Sequence, residues 1–207
     1  MSRPLIVTDC DEVLLHMVRH FRDWLDEAHA IEFPLNGNPF ASMRPRGGEE
    51  MPDAEKWRYL NLFFDTEMHR QTAIEGAASA VSELSREADV VVLTNLKDQY
   101  QAMRAAQLRD HGIEARVFTN QGPKGAALRR IVDEYAPSRA VFVDDLAHHH
   151  ASAAEALPDT TRLHFCGDPL VAPHVPCALK AGHAHARIDT WGEALPWLLE
   201  TLHGDRR

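Results

Sequence analysis

The sequence predicts a doubly wound (Rossmann-like) α/β fold: a parallel sheet of about five strands, with a small helical cap inserted after the first strand. Three observations predict it. Five short apolar runs lack clean alternation, amphipathic segments separate them, and one interval is far too long for a single crossover. At 207 residues the chain has the length for one core of ordinary size plus a small insertion.

Residues 4–9 (PLIVTD) open the sheet, their Leu, Ile and Val continuous as in a strand covered on both faces. The same reading gives strands at residues 89–94 (DVVVLT), 115–118 (ARVF), 139–143 (RAVFV) and 161–165 (TRLHF). Helices fall between them. Residues 77–88 lead into the second strand, and residues 98–111 carry Tyr100, Met103 and Leu108 before stopping at Gly112, a C′ residue. Residues 125–135 set Leu128, Ile131, Val132 and Tyr135 on one stripe, which Pro137 ends. Near the C-terminus, Thr190 and Glu193 have capping-box spacing ahead of Leu195, Leu198, Leu199 and Leu202.

The long interval reads as two helices. Residues 14–30 place Leu14, Val18, Phe21, Leu25 and Ala28 on one face, and residues 53–70 carry Trp57, Leu60, Phe64 and Met68. Between them lies a Pro/Gly/Asn-rich loop, residues 33–48. The core is therefore assigned to residues 1–13 and 75–207, and the cap to residues 14–74.

Lys plus Arg number 22 against 31 Asp plus Glu, a net charge of -9 that disfavours nucleic acid and anionic membranes as partners. No run approaches the ~18 apolar residues of a membrane span, and the first apolar stretch is too short for a signal peptide. Cys10, Cys166 and Cys177 form no CxxC pair and no disulfide framework. A reduced, cytoplasmic protein is expected; the oligomeric state is not legible.

In open α/β sheets, ligands bind outside the carboxyl ends of the strands. Here those ends are polar: Asp9-Cys10-Asp11, Thr94-Asn95 and Asp144-Asp145. A period of two lets Asp9 and Asp11 project the same way, so four aspartates are expected to converge. Two such charges ~4 Å apart repel by about 4 kcal/mol at an effective dielectric of 20, so a cation or a proton must join them. An all-oxygen donor set favours Mg²⁺. Thr94 and Asn95 can donate to an anion, and Lys124 (QGPKG) adds a positive charge beside helix-terminal N–H groups. A nucleophilic carboxylate, a divalent cation and anion donors are what phosphoryl transfer requires.

At this point the chain resembles the haloacid dehalogenase superfamily. DCDEV at residues 9–13 matches its DxDx[TV] motif, and VVVLT its hydrophobic strand ending in Thr94. Lys124 matches its third motif, and VFVDD, ending in Asp144 and Asp145, its fourth. Each motif alone is weak; four in order along an α/β pattern are specific. The insertion resembles the family's small helical C1 cap. The resemblance implies that Asp9 attacks phosphorus, that Asp11 is general acid and base, and that Thr94 and Lys124 hold the phosphoryl oxygens. It implies Mg²⁺ on Asp9, the Asp11 carbonyl and the acid pair, with Asp145 favoured over Asp144. The implied function is a phosphatase of small phosphorylated metabolites, since dehalogenases lack the second aspartate. One departure stands out: Glu12 occupies a position where most members have glycine.

Blander readings stand beside these. Asp9 and Asp11 alone would be a solvated strand end, and Cys10 a packing residue. His148, His149 and His150 read as a solvated helix face in preference to groups supporting the acid pair. His164, Cys166, His174, Cys177, His183 and His185 fit no standard zinc spacing. Arg44 and Arg46 are either anion ligands or ordinary loop arginines. Alternative functions are a phosphomutase, a C–P or C–halogen hydrolase, or a noncatalytic binder of a phosphorylated ligand. A phosphonatase would need a Schiff-base lysine, and Lys56 is the only lysine of the insertion.

Overall fold

The computed structural model describes residues 2–35 and 40–204; residues 36–39 of the loop, like Met1 and residues 205–207, lie outside the described residues. In chain order the elements are β1 (Leu5–Thr8), α1 (Val18–His29), β2 (Ile31–Glu32), β3 (Arg44–Pro45), α2 (Asp53–Thr66), α3 (Ala77–Glu87) and β4 (Asp89–Thr94). There follow α4 (Gln101–Asp110), β5 (Arg116–Thr119), α5 (Gly125–Tyr135), β6 (Ala140–Asp144), α6 (Ala147–Ala156), β7 (Thr161–His164), β8 (Ala186–Arg187) and α7 (Trp191–His203).

A six-stranded sheet has the order β5-β4-β1-β6-β7-β8, every pair parallel. The fold is thus the expected doubly wound α/β type, with the order reversing beside β1. One strand more than expected is present: β8 is only two residues, Ala186 and Arg187, too short to leave an apolar run. Ile6, Val92, Val141 and Leu163 face one layer, packed with α3 and α7; Leu5, Val7, Val91, Leu93 and Phe142 face the other, packed with α5 and α6. Burial on both faces is why these strands read as continuous apolar runs.

The insertion carries its own apolar cluster, in which Phe21, Trp24 and Leu25 of α1 meet Phe63 and Phe64 of α2 and rest on Leu96 and Tyr100 after β4. The Phe21 and Phe63 rings meet edge to face, 5.4 Å apart at 71°. Such a pair contributes roughly 0.5–1.5 kcal/mol beyond its buried area. Three expectations need correction here. Helix α1 begins at Val18, not residue 14, because the N–H groups of Val13, Leu14 and Leu15 fold back onto the Cys10 carbonyl. Trp57 and Met103, placed on apolar faces, are exposed. The loop holds a two-stranded ribbon, β2 with β3, whose Arg44 pairs with Glu32 at 2.8 Å while Arg46 pairs with Asp26.

Candidate active site

Parallel pairing on both sides of β1 fixes the site. Thr8 sits opposite Val92 and Val143, and the Asp9 N–H continues the ladder to the Val143 carbonyl at 2.8 Å. Asp9 is thereby set beside Asp144. The carboxylates of Asp9, Asp144 and Asp145 are all buried, and one oxygen of each lies within 4.8 Å of the others. Lys124, fully buried at the N-terminus of α5, bridges two of them, 2.7 Å from Asp9 Oδ1 and 2.7 Å from Asp144 Oδ2. Gly125 makes this possible: a Cβ there would stand 2.3 Å from the Ser152 carbonyl of α6, so glycine lets the helix start close enough.

The three acids are not equivalent. Asp144 is saturated, its Oδ2 on Lys124 and its Oδ1 accepting the Leu146 N–H at 2.9 Å. Burial, the largest influence, opposes its charge, but the Lys124 ammonium together with His149 and His150 outweighs it and holds its carboxyl below the usual range. Burial pushes Asp9 up to about 7, against the pull of Lys124. Burial and the charges of Asp144 and Asp9 raise Asp145 well above the carboxylate range, and no hydrogen bond or ion pair among the described residues engages its carboxylate. One ammonium thus faces three carboxylates. The excess negative charge in a buried, all-oxygen set fits a hard divalent cation, with Asp9 and Asp145 offering the less committed oxygens.

Thr94 ends β4, and its buried Oγ1 has no hydrogen-bond partner among the described residues. Asn95 is already engaged: its Nδ2 meets the Gly122 carbonyl at 3.0 Å and His149 Nε2 at 3.3 Å, and its Oδ1 accepts from Asn120 at 2.9 Å.

Asp11 does not join the other three aspartates. The chain leaves β1 at Thr8 and turns, so the period of two lapses after Asp9. The Asp11 carboxylate is held by the fully buried Arg104 of α4, whose Nη2 donates to both oxygens at 3.0 and 3.2 Å. Gln71 Nε2 donates to Asp11 Oδ1 at 2.7 Å, and Arg104 Nη1 reaches Gln71 Oε1 at 3.0 Å and Gln107 Oε1 at 3.1 Å.

Glu12 has a backbone φ of 59°, the left-handed region where glycine is at ease. Its carboxylate is folded inward, and Oε1 accepts the Met17 N–H at 2.9 Å and the Val18 N–H at 2.6 Å, satisfying the first donors of α1. The glutamate thus bears a strained conformation and caps the helix that enters the insertion.

The histidines differ from the sequence reading. Only His148 of the three is exposed; His149 and His150 are buried against the site, because α6 packs on the sheet face that carries Phe142, whose ring meets His150. His150 Nε2 meets the Asp144 carbonyl at 2.9 Å, and His164 Nε2 the Asp145 carbonyl at 2.7 Å. Burial lowers His149 and His164 to about 4. The His/Cys stretch from His164 to His185 brings no three ligand atoms together among the described residues. Lys56 is ion-paired with Glu50 at 2.7 Å and Asp53 at 3.2 Å, which hold its pKa up and not down.

Arg104 and Gln71 escaped the sequence reading, and His149 was read there as part of a solvated helix face. Arg104 left a signal, since it stands four residues from both Tyr100 and Leu108, a charge in the middle of an apolar stripe.

The structure is similar to a HAD family hydrolase from Deinococcus radiodurans solved with bound phosphate and sodium, at a TM-score of 0.68 and 17% identity, over 96% of this chain and 95% of that one. It is similar to a haloacid dehalogenase-like protein of Streptococcus pneumoniae, at a TM-score of 0.69 and 12% identity, over 94% and 97%. A Bacillus subtilis protein solved bound to magnesium matches at a TM-score of 0.56 and 14% identity, over 96% and 100%. No family model matches the sequence, and no curated protein does. The chain has the haloacid dehalogenase fold that its four motifs resemble. Among the described residues, no helix is long and apolar enough to cross a membrane.

Proposed function

We propose that the protein is a Mg²⁺-dependent phosphatase of the cytoplasm, acting on a small phosphorylated metabolite through an aspartyl-phosphate. The observation that carries this reading is the buried Asp9–Asp144–Asp145 group bridged by Lys124 at the strand-order reversal. Asp9 Oδ1 is taken by Lys124 and by the Cys10 N–H at 2.7 Å, so Oδ2 is the oxygen turned to nucleophilic use. It attacks phosphorus as the ester P–O bond breaks. Thr94 Oγ1 and Lys124 hold phosphoryl oxygens, with Asn95 beside them. Mg²⁺ on Asp9, Asp145 and the Asp11 carbonyl, with Asp144 behind, would supply the charge that keeps Asp9 ionised and balances the phosphoryl group.

Asp11 gives the leaving oxygen its proton, then takes one from the water that cleaves the acyl phosphate and frees Asp9. To do so it parts from Arg104, and the proton it takes from water in one turnover is the one it gives to the leaving oxygen in the next. The insertion, residues 14–74, acts as the cap over this site. A Schiff-base mechanism is disfavoured by the paired, charged Lys56.

The test is a phosphate-release screen over sugar, nucleotide and amino-acid phosphates with and without Mg²⁺. Mg²⁺-dependent release is expected, reduced by on the order of 10³-fold or more in Asp9→Asn. Absence of turnover on every substrate, or full activity in Asp9→Asn, sinks the reading.

A further inference from the structure

A second buried cluster lies outside the Asp9–Asp144–Asp145 group. Glu12 comes from the turn after β1, His16 from the segment entering α1, and Asp168 from the loop after β7. All three are buried, at 2%, 9% and 0% exposure, and one ligand atom of each lies within 4.8 Å of the others. Two of these groups have an unsatisfied atom. Glu12 spends Oε1 on the Met17 and Val18 N–H groups, while its Oε2 is buried with no hydrogen-bond partner. His16 Nδ1 is likewise buried without a hydrogen bond, although it stands 3.3 Å from Asp168 Oδ2. A buried polar atom left unpaired is costly, so two facing one cluster call for a common partner.

Arg19 is not that partner. Its Nε and Nη2 donate to Asp168 Oδ2 and Oδ1, each at 2.7 Å, and Asp168 Oδ1 also accepts the Leu170 N–H at 2.9 Å. The guanidinium balances Asp168 and leaves the Glu12 carboxylate unbalanced. The spacing of His16 and Asp168 suits an ion: with bonds of about 2.0–2.1 Å, a tetrahedral site has ligand-to-ligand edges of roughly 3.4 Å. The His16–Asp168 separation of 3.3 Å matches one such edge.

We propose that Glu12, His16 and Asp168 form a second divalent-metal site, separate from the strand-end aspartates. One imidazole nitrogen with two carboxylate oxygens is a donor set for zinc and its neighbours, not for Mg²⁺. The ion is bound by Glu12 Oε2, His16 Nδ1 and Asp168 Oδ2, with a fourth position left for water. It ties the entry of the insertion to the loop after β7, and it stands whether or not Asp9 is a nucleophile.

The test uses Co²⁺, whose visible d–d absorption reports nitrogen and oxygen ligands in a tetrahedral field. Full-length protein freed of metal by chelation and saturated with Mg²⁺ is titrated with Co²⁺, and bound metal is counted by elemental analysis. One Co²⁺ per chain with tetrahedral absorption is expected in the wild type and in Asp145→Asn, and none in His16→Ala or His16→Gln. The proposal is overturned if wild type takes up no Co²⁺, if uptake survives both His16 substitutions, or if Asp145→Asn alone removes it. The first outcome is read on the unaltered protein, so a His16 variant that fails to fold does not shelter the idea. If Glu12 and His16 merely share a proton, the wild type takes up no Co²⁺.

Discussion

Two fully buried cations hold carboxylates at the same edge of the sheet, and they hold them differently. Lys124 is a compact point charge at a helix N-terminus, shared between Asp9 and Asp144 on neighbouring strands, with Asp145 uncompensated beside them. Arg104 is a planar fork in mid-helix that meets one carboxylate, Asp11, and two neutral amides, Gln71 and Gln107. The first arrangement is left with negative charge to spare; the second is balanced. In the proposed reaction the excess charge is where an ion and a phosphoryl group would sit, and the balanced pair is the group that would be held in readiness.

That contrast is open to breaking. Lys124→Met leaves Asp9 and Asp144 buried and unpaired, and should cost about 3–5 kcal/mol in urea unfolding, part of it recovered by Mg²⁺. A variant as stable as wild type would erase the difference between the two cations. Arg104→Lys keeps the charge but cannot reach Asp11, Gln71 and Gln107 at once. A loss of about 2 kcal/mol is expected, with kcat falling more than KM changes. Steady-state kinetics on whichever phosphate ester the screen identifies would read this, and an unaltered kcat would remove Asp11 from the chemistry.

The pH dependence belongs to the Lys124 side, where His149 and His164 pack. Burial lowers both to about 4, against about 6.5 when unfolded, so between those values the unfolded chain binds more protons. Their contribution is complete above pH ~6.5 and is lost as pH falls toward ~4, by up to roughly 3 kcal/mol for His149. Asp9, raised to about 7, works in the opposite sense over the same range, so the histidine contribution is read as a difference: denaturant midpoints of His149→Gln should lose less on acidification than those of the wild type. Smallest is Glu12→Gly. It removes the cap on Met17 and Val18, worth about 1 kcal/mol, and relieves a left-handed residue of about the same strain, so stability should move by less than ~1 kcal/mol. A loss of several kcal/mol would show that Glu12 carries more than its cap.

The sheet was legible because its strands are covered on both faces, which writes uninterrupted apolar runs into the sequence. Strand β8 was not, because two residues ending in Arg187 leave no pattern. Asp9, Asp144 and Asp145 were legible as strand ends, whereas the turning away of Asp11 depends on Arg104, distant in sequence. Sequence shows which residues end strands, but a turn after Thr8 decides where the next carboxylate points. The burial of His149 and His150 was missed for a similar reason: a histidine run carries no sign of which side of its helix meets the sheet.

Gln71 lies where the chain re-enters the core from the insertion, and it hydrogen-bonds both Asp11 and Arg104. Its own carbonyl meets His111 Nε2 at 3.0 Å. The residue is therefore a point of thermodynamic linkage between two parts of the chain. Any movement of the insertion that displaces Gln71 changes the free energy of the Asp11 carboxylate. By reciprocity, whatever binds or protonates Asp11 biases the insertion by the same amount.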